Sequence, residues 1–359
     1  MLATSISPIY VCLLLMLSLS VCFPKNKPLL YSNILLMWVL ALFRDITVGT
    51  DTLGYSDDYQ MLHGFDDIYK IRHDFEIGFV ALIVWFKEYI TTDYLPFVSL
   101  IFIPFFAGCL RFIGFRQVSF PLALFFLYTW GAYFFAYNAM RQMMVLGIVL
   151  LFIPWLYRRK YVKFAIAIII TALLFHRSGI IMLSLIPIHY WVTVKGRFPA
   201  KKWLYAMVWI SFAMFFIGKT FLQNLLVPII SLFDVTYTSY ILGNESVELG
   251  FTYNLGQSLA ASLLIFLYKK GKMDFEMLLF IIGISVYNIM GMFSVYGPRL
   301  AIYWTIFGIV LFPHILTNLD KKRKQEQICV FIFICYTLIC FFYSYHFNNF
   351  GEVNPYIFR

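Results

Sequence analysis

The sequence predicts an all-α fold: a polytopic integral membrane helical bundle of about twelve spanning helices plus one short re-entrant or interfacial helix. Three observations carry that prediction. Of 359 residues, 62% are hydrophobic, 20% aromatic and only 13% charged, with a mean hydropathy of +0.80. Soluble domains carry about 25% charged residues, so this chain has too little polar surface to face water. A cytosolic enzyme, a secreted disulfide scaffold and a disordered chain are excluded. Second, the apolar residues form solid runs such as Val11 to Leu19 and Leu29 to Phe43. A membrane barrel would show short alternating segments instead, which leaves helices as the structure that satisfies its own backbone in hydrocarbon. Third, basic residues collect in alternate loops, as they do in multi-pass helical proteins.

The predicted spans are 2–22, 28–43, 95–112, 118–136, 139–157, 161–175, 178–193, 203–222, 253–268, 274–292, 298–317 and 328–346. Each approaches the ~20 residues needed to cross ~30 Å of hydrocarbon. No Lys or Arg precedes the first run, so it reads as a retained span rather than a signal peptide. The run Ile77 to Phe86 is too short to cross comfortably and is placed as a half-helix or surface helix. Nineteen of the 28 basic residues lie in six alternate loops, including Arg111 and Arg116, Arg158 to Lys163, and Lys269 to Lys272. Positive-inside bias puts these loops in the cytoplasm with both termini outside; a crossing 77–86 run would give thirteen spans and an inward N-terminus. The formal net charge of +10 is thereby accounted for by orientation, and no nucleic-acid partner is expected. The chain reads as a single membrane domain, 1–359, without internal repeats. Long outer loops at about 44–76 and 223–252 are too rich in acids and aromatics to be plain connectors. The six cysteines lie within or beside apolar runs and lack metal-ligand spacing, so no metal is predicted.

Four arginines break the charge pattern. Arg44, Arg141, Arg177 and Arg299 each fall at the outer end of a predicted span, where an arginine at membrane depth costs ~2.5–3.5 kcal/mol unless compensated. Carboxylates such as Asp45 or Asp51 would account for one or two. Four at one level point instead to a bound polyanion, because the guanidinium fork matches phosphate oxygens in pairs. His176 lies in a turn between two apolar arms of about fifteen residues, a rise of only about 22 Å, so the turn is expected to be recessed. It is either a helix cap or, beside Arg177, a general base for a hydroxyl. In the stretch Arg44 to Thr52, Gly49 permits a tight turn and Asp51 supplies a carboxylate for sugar hydroxyls or an arginine. The pairs Asp57-Asp58 and Asp66-Asp67 read as solvated loop charge. Tyr128, Tyr133, Tyr137, Tyr296 and Tyr303 read as interfacial belt residues.

In this order the motifs resemble the EpsG/Wzy-like polysaccharide polymerases of bacterial surface-glycan loci. The likeness rests on Arg44 followed by Val48-Gly49-Thr50-Asp51 and Tyr55; on Glu76-Ile77-Gly78-Phe79; on Arg141-Gln142 opening a span; on Phe175-His176 after a basic turn and an apolar arm; on Arg299; and on Pro355-Tyr356. Thr52 departs from the pattern, since an aromatic residue often follows the acid in that family. The resemblance implies a glycosyltransferase of the bacterial inner membrane with its active site facing the periplasm or exterior. It would join undecaprenyl-diphosphate-linked oligosaccharide repeat units into O-antigen, capsule or exopolysaccharide. It further implies His176 as base, Arg141, Arg177 and Arg299 on the diphosphates, and Arg44 and Asp51 shaping the donor site, with no cofactor. Membrane lipid, a chain-length regulator and a flippase of the same pathway are the expected partners. The competing readings are a lipid-linked oligosaccharide flippase or transporter, which should carry charge through the midplane and show related halves, and an O-antigen ligase or membrane acyltransferase, of which the ligase is nearest in chemistry and differs chiefly in acceptor.

Overall fold

The structure, a computed structural model, describes residues 6–71, 74–217, 250–291, 297–320 and 323–358. Among these residues the secondary structure is helical apart from one isolated antiparallel bridge between Arg44 and Phe358. The helices are α1 Pro8–Cys22, α2 Lys27–Leu42, α3 Thr52–Met61, α4 Ile77–Tyr89, α5 Tyr94–Arg116, α6 Phe120–Thr129, α7 Ala132–Asn138, α8 Met140–Tyr157, α9 Tyr161–Phe175 and α10 Leu185–His189. They continue with α11 Lys201–Ile217, α12 Gly250–Leu267, α13 Asp274–Met290, α14 Gly297–Thr305, α15 Gly308–Thr317 and α16 Lys324–Phe342. The loop predicted at about 223–252 lies almost wholly outside the described residues.

Among the described residues, four stretches are long and apolar enough to cross a membrane: Tyr94–Arg116, Met140–Tyr157, Arg177–Val194 and Lys324–Phe347. The count rises to six if two bent pairs are each one span, α6 with α7 at 51° and Arg299–Thr305 with α15 at 42°. Predicted span 118–136 is therefore broken at Trp130-Gly131, and 298–317 is broken between Thr305 and Gly308. Helices α1, α2 and α9 are shorter, 15 or 16 residues each. They rise about 22–24 Å against ~30 Å of hydrocarbon. α4 has 13 residues and buries Phe79, Val80, Ile83 and Phe86. The chain is a multi-helix membrane protein.

Two compact units are present, one formed by Met1–Pro187 with Thr337–Arg359 and the other by Ile188–Tyr336. In the first, α5 and α8 pack along their length and meet at Gly108 and Gly147. A Cβ on Gly108 would strike the Gly147 carbonyl, and one on Gly147 would strike Phe105 and the Pro104 carbonyl. Small residues at such crossings let backbones touch, which substitutes for the hydrophobic drive that hydrocarbon lacks.

Of the expected belt tyrosines, Tyr296 lies outside the described residues, and the other four are core residues: Tyr128, Tyr133, Tyr137 and Tyr303 are fully buried. Three of these four use their hydroxyls as internal ties. Tyr128 Oη donates to the Tyr10 carbonyl at 2.9 Å, Tyr133 Oη donates to the Met37 carbonyl at 2.7 Å, and Tyr133 and Tyr137 share a hydrogen bond at 2.6 Å. A phenol buried in a helical bundle is stable there because a carbonyl or a second hydroxyl accepts its hydrogen bond.

The acid-rich loop after α2 is folded, not loose. Its helix α3 lies on an aromatic cluster that includes Tyr55, Tyr59, Phe75, Phe79, Phe86 and Phe97. Lys87, another basic residue outside the six loops, ties that loop to α4. Its Nζ donates to the carbonyls of Tyr59, Gln60 and Leu62 at 2.9, 3.2 and 2.9 Å. These carbonyls end α3, where unpaired acceptors and the helix dipole both favour a cation. The expectation of solvated acids holds only in part. Asp57 is exposed, but Asp58 is buried. Asp67 closes a turn, accepting from the His63 and Gly64 amides and from Lys70. The Lys70 hydrogen bond, followed by the His63 amide, draws its carboxyl down to about 2.

The C-terminal tail completes the first unit. Asp45 donates its amide to the Ile357 carbonyl, Gly49 to Glu352 and Thr50 to Gly351 at 2.9–3.1 Å. Tyr356 donates its amide to Ser7 Oγ and its hydroxyl to the Leu40 carbonyl, and Tyr10 Oη donates to the Val353 carbonyl. The second unit is built on α11, α12 and α13. Asn288 Nδ2 binds Ser211 Oγ and Ser258 Oγ at 3.1 and 3.0 Å, a polar tie between the three helices.

Candidate active site

Glu76, His176 and Arg141 come together because three helix ends meet. Arg141 lies in the first turn of α8, Glu76 caps the start of α4, and His176 caps the end of α9. The close approach is set by Gly78. A Cβ there would stand 2.6 Å from both the carbonyl oxygen and Cβ of Leu174, two residues before His176. Absence of a side chain at this one position lets α4 lie against α9 and carries Glu76 to the histidine.

Glu76 is the hub. Arg141 Nη1 donates to Glu76 Oε2 at 2.6 Å and to the Asp74 carbonyl at 2.9 Å, and Arg141 Nε donates to Tyr55 Oη at 3.2 Å. The guanidinium also lies over Phe75, 4.7 Å from the ring centre. The other carboxylate oxygen, Oε1, accepts the Arg177 amide at 2.9 Å and has His176 Nδ1 at 3.5 Å. Burial opposes the charge on Glu76, but the His176 hydrogen bond, the Arg141 charge and the Arg177 amide outweigh it and hold the carboxyl below its ordinary range. Glu76 and Arg141 are 7% and 8% exposed, so this ion pair is shielded from solvent. The Arg177 side chain is by contrast 60% exposed, with Nη1 3.7 Å from Asp74 Oδ2.

Arg44 and Asp51 belong to the same unit as this cluster. Arg44 is buried at 1% exposure. Its Nη2 donates to the Tyr137 carbonyl and to Met140 Sδ, and its plane lies 4.2 Å from the centre of the Tyr137 ring. It therefore flanks Met140, the neighbour of Arg141. Asp51 is at the N-terminus of α3, one turn before Tyr55, and Gly49 takes the left-handed φ of 110° expected of the preceding turn. Arg299 belongs to the second unit and lies half-buried in α14.

Three of the six predicted residues thus share one cluster, and the anion that Arg141 meets is a protein carboxylate. Glu76 and Tyr55 were missed as site residues. Both belong to motifs that the sequence displays, an acid heading an apolar helix with Gly two residues later, and a tyrosine one turn after Asp51.

The arrangement offers an imidazole near a carboxylate, a buried guanidinium and an exposed guanidinium at one rim. The EpsG family model matches residues 27–358, nearly the whole chain and all of these positions. This chain belongs to the EpsG family. Neither the curated proteins nor the solved structures compared with it gave a match. Membership of EpsG, with the apolar helices, makes this a multi-helix membrane protein of a polysaccharide-synthesis family.

Proposed function

We propose that the chain is a glycosyltransferase that polymerises undecaprenyl-diphosphate-linked oligosaccharide repeat units at the outer face of the bacterial inner membrane. The observation that carries this reading is the meeting of Glu76, Arg141, His176 and the Arg177 amide at three helix ends in an EpsG-family chain. A twelve-crossing layout with both termini outside would put that cluster on the outer side.

The reaction requires a hydroxyl of the incoming unit to attack the anomeric carbon of the growing chain as the bond to the lipid diphosphate breaks. His176 takes the hydroxyl proton on Nε2. Glu76 is a positioning residue: it faces Nδ1, favours the tautomer with Nε2 free, and stabilises the imidazolium once the proton has moved. The departing diphosphate keeps the bonding electrons, and its growing charge needs fixed cations that do not have to reorganise. The exposed Arg177 supplies one, and Arg141, held in place by Glu76 and Tyr55, supplies the second. Asp51 and Arg44 shape the donor side. Arg299 keeps its sequence-based assignment to diphosphate and is tested separately.

The test is the surface-glycan profile of a deletion strain complemented with variants. A strain lacking the gene is expected to retain caps of a single repeat unit. Loss of every cap would make the protein a ligase, and units accumulating inside the cell would make it a flippase. Complementation by His176→Ala is expected to lower polymerisation by roughly 100-fold or more, the usual worth of a general base. Arg177→Lys and Arg299→Lys keep charge but lose the fork, so unchanged chain length in both would remove the diphosphate assignment.

A further inference from the structure

At the end of α8 opposite Arg141 the molecule carries a second arginine site of different character. Arg158, which caps the end of α8, is seventeen positions after Arg141, a rise of about 26 Å, close to the thickness of the hydrocarbon. Between α5 and this end of α8 is a hollow of about 310 Å³ lined by Arg111, Leu151, Phe152, Pro154, Trp155 and Arg158. Phe152 and Trp155 stack with ring centres 4.6 Å apart and planes at 25°. Among the described residues Arg111 commits only Nε, donating to the Leu151 carbonyl at 2.9 Å. Among the described residues neither Arg111 nor Arg158 forms an ion pair, unlike Arg141. All three arginines lie in a stretch without Asp or Glu, from Asp93 to Asp234, so the asymmetry comes from packing: only the Arg141 end of α8 is brought against Glu76.

We propose that this hollow is a binding site for an anionic phospholipid of the cytoplasmic leaflet, distinct from the polymerising site. The headgroup phosphate lies between the two guanidinium groups, and the acyl chains run along Leu151, Phe152 and Trp155. Charge complementarity decides the occupant. Two arginines without a carboxylate between them, at the rim of an apolar, aromatic-lined hollow, match a ligand that is anionic at one end and hydrocarbon beyond it. A zwitterionic lipid would bring its own cation to the same place. A mere orientation signal needs positive charge anywhere in the loop, as Arg159, Lys160 and Lys163 provide, but it needs no hollow and no paired rings.

The test uses the full-length protein in neutral detergent micelles, with phosphatidylglycerol or phosphatidylcholine carrying brominated acyl chains as quenchers. The signal is the part of the tryptophan fluorescence that Trp155→Phe removes. Phosphatidylglycerol is expected to quench it at a concentration at least roughly tenfold below phosphatidylcholine, given about one kcal/mol per basic residue near anionic lipid. The double variant R111Q/R158Q should abolish that preference, whereas K160Q/K163Q, with the same loss of charge beside the hollow, should keep most of it. The single variant Arg158→Gln removes no side-chain hydrogen bond found among the described residues and should weaken the preference severalfold. Equal quenching by the two lipids in the wild type would overturn the site. So would an unchanged preference in R111Q/R158Q, or an equal loss in K160Q/K163Q.

Discussion

Both oxygens of Glu76 are engaged, Oε2 by Arg141 and Oε1 by the Arg177 amide with His176 nearby. Removing the carboxylate leaves a guanidinium buried without its counter-charge, a change that costs about 3–5 kcal/mol in comparable pairs. Glu76→Ala is therefore expected to melt well below the wild type in detergent, and equal melting would mean that the pair does not hold the fold. The sign of the pH dependence follows from the direction of the Glu76 shift. Its carboxyl is depressed in the folded protein, so its stabilisation is complete above the unfolded value of about 4.3 and is lost as pH falls through the lower folded value. The difference in melting temperature between the wild type and Glu76→Gln should be flat from about pH 5 to 7 and shrink below about pH 4. A difference that grows on acidification would reverse the assignment. At this scale the sequence is half legible. Arg141 and His176 stand out because a cation or imidazole at the end of an apolar run has a cost that demands explanation. Glu76 does not, since it is one acid among eight in its loop and its partner is 65 positions away.

Single helices do work here that their own sequences do not reveal. α3 is polar, with only ten residues, too short to persist alone, yet it is held by the aromatic cluster beneath it and by Lys87 at its end. Lys87→Met keeps the aliphatic stem and removes three charged hydrogen bonds. It should cost about 1–3 kcal/mol and raise protease cleavage after α3, without loss of the α5 and α8 pairing. Unaltered cleavage would show that the aromatic packing suffices. The C-terminal tail acts similarly on the turn after α2, holding Asp45, Gly49 and Thr50 through backbone hydrogen bonds. Pro355-Tyr356 thus has a mechanical link to the Arg44 turn, because Tyr356 lies on the same tail and reaches the Leu40 carbonyl near the end of α2.

For the whole molecule the decisive distribution is that of charge along the chain. Acids concentrate in the loop before α4, and after Asp93 the next one is Asp234, so every basic residue of the loops on either side of α8 and α9 lies in a stretch without carboxylates of its own. Packing then makes the two ends of α8 differ, since Arg141 is brought to Glu76 of the earlier loop while Arg158 has no carboxylate nearby in the chain. Positive-inside bias favours the Arg158 end for the cytoplasm. Single cysteines placed in the 44–71 segment of a cysteine-free background should react with an impermeant thiol reagent in whole cells, and cysteines at 158–163 should be protected. The reverse pattern would invert the membrane orientation and move the proposed active site to the cytoplasmic face.

Membrane residence, helical class and the out-of-place arginines follow from the order of amino acids, because composition, apolar run length and charge placement act locally along the chain. The pairing of the charged groups does not follow from that order; packing in three dimensions selects it. Glu76 reaches Arg141 and the Arg177 amide across 65 and 101 positions because α4 lies against α9 at Gly78. Such contacts depend on how closely two backbones approach, and no window of the sequence contains both sides of that approach.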